Sequence, residues 1–136
     1  MNYIKQRDLE FGEKSELEVL PIIKNYFDTE LEKTKYKYAT FDFVSNKYCI
    51  ELKSRNNAKD KYDSTIIGYN KIKKCNDKNK TYIFCFKFTD GIFFWKYNDE
   101  EFEKFCEINN GGRKDRGYTE YNQYCYIPVN LLKKIE

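Results

Sequence analysis

Thr89-Asp90-Gly91 separates two runs, Tyr82 to Phe88 and Ile92 to Tyr97, that are almost wholly apolar or aromatic and each of strand length. Asp-Gly supplies the backbone freedom that a tight reversal needs, so this part of the chain is predicted to fold as a β-hairpin. A second hairpin is predicted upstream. Tyr36 to Val44 and Tyr48 to Lys53 alternate apolar with polar side chains, and Ser45-Asn46-Lys47 lies between them as a turn.

From Asp8 to Phe27, the residues Phe11, Leu17, Leu20, Ile23 and Phe27 recur at three- and four-residue steps among charges. This is the pattern of an amphipathic helix that Asp8 can cap. Pro21 either kinks that helix or divides it in two. Thr65 to Cys75 places Ile66, Tyr69 and Ile72 at helical spacing, although Ile66-Ile67 can instead begin a strand. Asp99 to Ile108 reads as a short acidic helix, Asn109 to Tyr121 as an irregular glycine-rich loop, Tyr124 to Ile127 as a last strand and Pro128 to Ile135 as a short closing helix. The order predicts an α/β (α+β) fold with a mixed central sheet flanked by helices, in a single domain over residues 1–136.

Composition narrows the chemistry. Histidine is absent, which excludes imidazole as base, nucleophile activator or metal ligand. The five cysteines, Cys49, Cys75, Cys85, Cys106 and Cys125, contain no C-x-x-C pair, and their odd number suits a reducing compartment. They are expected to be small buried apolar residues. No apolar run approaches the about 20 residues of a membrane span, and Met1 to Gly12 is charged, so an intracellular, cytoplasmic protein is expected. The 25 basic and 22 acidic residues leave a net charge of only +3, so any nucleic-acid surface must be local. Lysine outnumbers arginine 21 to 4, as an A- and T-rich genome would impose, and its abundance by itself says little about partners.

Residues that break their local pattern point to a site. Asp42 sits between Phe41 and Phe43, and Glu51 between Ile50 and Leu52, with Lys53 two positions on. Side chains alternate along a strand, so Glu51 and Lys53 share a face, and the turn at Ser45-Asn46-Lys47 brings Asp42 near Glu51. Two carboxylates among apolar residues need a cation, and a hard divalent ion such as Mg2+ fits one or two carboxylates plus waters and a phosphate oxygen. Such an ion acidifies a bound water, and Lys53 can orient or deprotonate that water for in-line attack on a phosphodiester.

Asp42, eight intervening residues and then Glu51-Leu52-Lys53, preceded by a helix that carries acids, resembles the PD-(D/E)XK nuclease superfamily. Phe41 stands where that family's name has proline. The resemblance implies a restriction-endonuclease-like α-β-β-β-α-β core and an Mg2+-dependent endonuclease, with Mn2+ as the substitute ion. It makes Asp42 and Glu51 metal ligands, the Leu52 backbone carbonyl a further ligand and Lys53 the catalytic lysine. It also implies a glutamate on the first helix. Glu16 shares a face with Leu20, Ile23 and Phe27, and Glu13 precedes Leu17 and Leu20 in a similar way; Gly12-x3-Glu16 resembles the family pattern more closely, so Glu16 is chosen. Lys71 falls where similar nucleases carry a substrate-facing lysine or glutamine.

Arg55 follows the motif directly, and Arg113 and Arg116 stand among glycines, where their planar forks suit DNA phosphates. Thirteen tyrosines and eleven phenylalanines could form stacking platforms for single strands but more simply fill a core. The expected partner is the DNA phosphate backbone, with no membrane and with a homodimer plausible for double-strand cleavage. A compact nuclease with this codon bias suits a phage or large virus. The alternative reading is a catalytically inactive, nuclease-like binding module of viral origin.

Overall fold

The computed structural model describes residues 3–35, 39–105, 108–113 and 120–135, with backbone alone for 3–13, 108–113 and 120–122. The chain begins with helix α1 (Tyr3–Tyr26). A six-stranded sheet follows, made of β1 (Glu32–Lys33), β2 (Phe43–Val44), β3 (Tyr48–Ser54), β5 (Thr81–Phe88), β6 (Gly91–Lys96) and β9 (Lys133–Lys134), neighbours in that order. β4 (Ser64–Gly68), β8 (Glu120–Pro128) and β7 (Ile108–Arg113) form a second, three-stranded sheet in the order β4-β8-β7. Two short helices, α2 (Tyr69–Lys73) and α3 (Asp99–Phe105), complete the elements.

The large sheet is mixed, as expected: β3 and β5 run parallel, and every other pair in it is antiparallel. A parallel pair needs a long crossover, which β4 and α2 supply. Both faces of β5 are covered, so its pleat divides the core in two. Tyr82, Phe84, Phe86 and Phe88 pack with Trp95, Ile67, Ile72, Phe102 and Ile127 under the small sheet, α2 and α3. Ile83 and Cys85 pack with Ile50, Leu52, Phe94 and the α1 residues Val19 and Ile23. Phe84 is 1% exposed, and truncating such a ring to alanine costs about 3–5 kcal/mol.

The Asp-Gly reversal joins β5 to β6 with Phe86 opposite Phe93, and Gly91 has a φ of +149°, open to glycine alone. Elsewhere the expectations need correction. α1 starts at Tyr3, so Asp8 lies inside the helix and does not cap it. The helix continues through Pro21, where the freed carbonyl is that of Leu17, a residue 64% exposed that does not join the core. The fully buried positions of α1 are Ser15, Val19 and Ile23, with the expected Leu20 and Phe27 packed half-buried against the same core. Of the strand expected over Tyr36 to Val44, only Phe43–Val44 is one, and residues 36–38 lie outside the described residues.

Thr65 to Cys75 is not one helix but a strand followed by five helical residues. The loop expected over Asn109 to Tyr121 holds most of β7 and the start of β8, with 114–119 outside the described residues. Pro128 to Ile135 is a 3-10 turn, Val129–Leu131, followed by β9 rather than a closing helix. Cys85 and Cys125 are buried, Cys49 and Cys75 are half-buried, and Cys106 lies outside the described residues.

Candidate active site

Asp42 stands immediately before β2, where the backbone is held from outside the sheet. The Thr34 amide donates to the Asp42 carbonyl at 2.9 Å, and the Thr34 hydroxyl donates to the carbonyls of Phe41 and Asp42 at 2.9 and 3.1 Å. Phe41, in the proline position of the motif, anchors the approach by packing its ring on Tyr82 and Phe84 at 5.4 and 6.5 Å. With β2 beginning only at Phe43, the Leu52 amide of β3 donates instead to Asp42 Oδ2 at 2.8 Å. A side chain thus takes over a ladder bond and is aimed at β3.

Glu51 is 4% exposed, between Ile50 and Leu52, which face the other core. Lys53 lies on the same side of β3, as alternation requires, with its ammonium 4.0 Å from Glu51 Oε1. Lys71 reaches in from α2: its ammonium is 3.0 Å from Glu51 Oε2 and donates to the Thr40 carbonyl. The contact with Oε2 is an ion pair without hydrogen-bond geometry, so Oε2 is buried with no hydrogen-bond partner. Such an atom is costly unless a cation faces it.

Three carboxyl groups converge electrostatically. Burial first, and then the Glu51 carboxylate, push the Asp42 carboxyl up to about 7, against the lowering effect of the Leu52 amide. Burial and the Asp42 carboxylate also push Glu16 of α1 upward, partly offset by Lys33 of β1, whose ammonium is 3.1 Å away. Asp42 is therefore the link: Glu16 of α1 and Glu51 of β3 each act on it, and Lys53 lies beside Glu51. The competing Glu13 side chain lies outside the described residues.

The three acids supply only oxygen donors; Glu51 Oε2 faces the Lys71 ammonium but makes no hydrogen bond, and Asp42 is raised by burial and by Glu51, so a hard divalent ion fits this pair of buried carboxyl groups. Among the described residues, no three His, Cys, Asp or Glu side chains stand as a ready-made metal cage. An ion that keeps waters and a phosphate oxygen needs only one or two carboxylates from the protein.

The cations expected to meet nucleic acid are dispersed. Lys71 points at Glu51 rather than outward. Arg55 is tied to β4, its guanidinium donating to the Ile66 carbonyl at 2.5 Å and to the Thr65 hydroxyl at 3.4 Å, 6.0 Å from the Phe86 ring centroid. Arg113 ends β7 opposite Glu120, with its side chain outside the described residues, as is the whole of Arg116. Sequence reasoning missed Lys33 and Thr34, which hold Glu16 and the Asp42 backbone. Neither has a spacing that signals the role, because both reach the site through β1, a two-residue strand with no pattern of its own.

No curated protein and no solved structure matches the chain. The sequence model of a family described as "Phage putative PDDEXK endonuclease" matches residues 3–135. Nucleases of that type generally use divalent metals. The match runs from the start of α1 to just past β9, and the chain therefore belongs to this phage PDDEXK endonuclease family.

Proposed function

We propose that this chain is a metal-dependent endonuclease that hydrolyses phosphodiester bonds in DNA within one nuclease domain. Asp42 and Glu51, with the Leu52 carbonyl and Glu16, would hold Mg2+ or Mn2+. When bound, that ion supplies positive charge to the scissile phosphate and lowers the pKa of a water. The observation that carries the reading is Glu51: a carboxylate 4% exposed inside a strand, with one oxygen unbonded and Asp42 pushed up beside it.

Each remaining role follows from position. Asp42, held through Oδ2 by the Leu52 amide, stays beside Glu51. Lys53, with its side chain 39% exposed, stands at the rim, where water and phosphate enter, and orients or deprotonates the attacking water. Glu16 closes the α1 side, with Lys33 restraining it.

The test is cleavage of plasmid and branched DNA with Mg2+, Mn2+ or EDTA, using wild type beside Asp42→Ala, Glu51→Ala and Lys53→Ala. Cleavage by the wild type alone, lost in EDTA, is expected; equal cleavage by all four proteins would assign the activity to something else. One observation favours a second reading, a nuclease-like module that binds without cutting: Lys71 already lies against Glu51. That reading predicts DNA binding that persists in EDTA and no turnover with either metal.

A further inference from the structure

Past Glu51, β3 runs out beside a groove of about 710 Å3. Its walls are the end of β3, the 3-10 turn Lys59–Lys61, β4 and β8. The charged side chains among its described lining residues are Lys53, Arg55 and Lys59, with no carboxylate among them. In a chain with 22 acids this is a local excess of one sign. Arg55 is held in place by β4, so its charge is preset, whereas Lys59 already pairs with Asp60 at 2.6 Å and contributes least.

Three tyrosines stand with these cations. Tyr62 is 58% exposed. Along β8, Cys125 and Ile127 turn into the core, which leaves Tyr124 and Tyr126 half-buried on the opposite face. The β4–β8 register puts Gly68, which has no side chain, opposite Tyr124, and Ile66 opposite Tyr126. Most of the described phenylalanines are buried in the core, as the sequence reading expected of most aromatic residues, whereas these tyrosines are not.

Cations that track phosphates beside partly exposed aromatic rings are what an unpaired strand uses, because its bases are free to stack; a duplex keeps its bases inside and leaves such rings idle. We propose that this groove holds an unpaired DNA strand leading to the Asp42–Glu51 site, so that the preferred substrate carries a single-stranded segment beside the cut. The strand binding stands by itself, and the cut beside it rests on the endonuclease reading.

The test is fluorescence anisotropy in EDTA at one fixed salt concentration. The probes are a fluorescein-labelled oligothymidylate of about 16 nucleotides, the upper site size for one small binding fold, and a blunt duplex of equal length. The oligothymidylate should bind about tenfold or more tighter than the duplex. Tyr62→Leu and Tyr126→Leu should each weaken its binding by about tenfold, with Tyr62→Phe and Tyr126→Phe unchanged and duplex binding unaffected.

Equal or tighter binding of the blunt duplex, or an oligothymidylate affinity indifferent to Tyr62→Leu, would overturn the proposal. Tyr62 is exposed enough that its substitution leaves the fold intact, so this arm reads out even if Tyr126→Leu unfolds. Strand binding without metal-dependent cleavage leaves the groove standing and removes the nuclease. Cleavage of blunt duplex with no single-strand preference does the reverse.

Discussion

Two acid–lysine pairs join a strand of the large sheet to a helix, and they behave in opposite ways. Glu18 of α1 meets Lys87 of β5 at 2.6 Å, with its side chain 48% exposed, and hydrogen bonding to Lys87 holds its carboxyl below the usual range. Glu51 of β3 meets Lys71 of α2 at the longer distance of 3.0 Å with its side chain only 5% exposed, and the neighbouring Asp42 is driven up to about 7. Distance alone would rank the first pair as the more consequential. Solvent reverses that ranking: water screens Glu18, whereas the core around Glu51 magnifies every charge near it.

The largest expected effect separates the pairs by activity. Glu51→Gln should lower kcat/KM for DNA cleavage by about a thousandfold or more, the equivalent of several kcal/mol, while Lys87→Met leaves it unchanged. Similar losses from both substitutions would erase the distinction.

Next comes pH. Asp42 titrates at about 7 in the folded protein against an ordinary value of 3.8, so the native state binds more protons in between. The stability this gives is fully present below the unfolded value and is lost as pH rises through the folded one. In EDTA, wild type should therefore lose up to a few kcal/mol relative to Asp42→Asn between about pH 5 and about pH 8, measured by urea unfolding. A parallel pair of curves would mean that Asp42 is not crowded by charge.

Lys71→Met removes the counter-charge from Glu51. Because Lys71 is partly exposed, the metal-free protein should lose about 1–3 kcal/mol, less than a fully buried pair would, and Mg2+ should restore part of the loss in a thermal melt. The smallest effect belongs to Lys87→Met, which should leave the melting temperature unchanged within error in both low and high salt.

The parts of the site that sequence reasoning reached lie close together along the chain. Asp42, Glu51 and Lys53 belong to one reversal, and their relation follows from strand alternation and one short turn. Glu16 is chosen on its likeness to the nuclease pattern, since helical spacing alone serves Glu13 as well. The errors lie where short apolar segments carry no decisive period. Ile66-Ile67 fits a helix or a strand equally well, and pairing with Tyr126 and Cys125 of β8 decides for the strand. Glycine-rich Ile108–Arg113 has almost no strand propensity and is extended because β8 supplies a partner ladder.

Local patterning by itself determined the Asp-Gly hairpin, the first helix and the acid pair with its lysine, because each depends on residues within about a dozen positions and on a fixed backbone period. Only the tertiary structure decided that Lys71 turns onto Glu51, that Lys33 and Thr34 brace the acids, and that three tyrosines line a cationic groove. The first and last arise where a parallel crossover lays a second sheet beside the first, and the bracing arises at β1, the edge strand of the large sheet. No periodicity along a chain encodes which side chains two separately folded layers bring face to face.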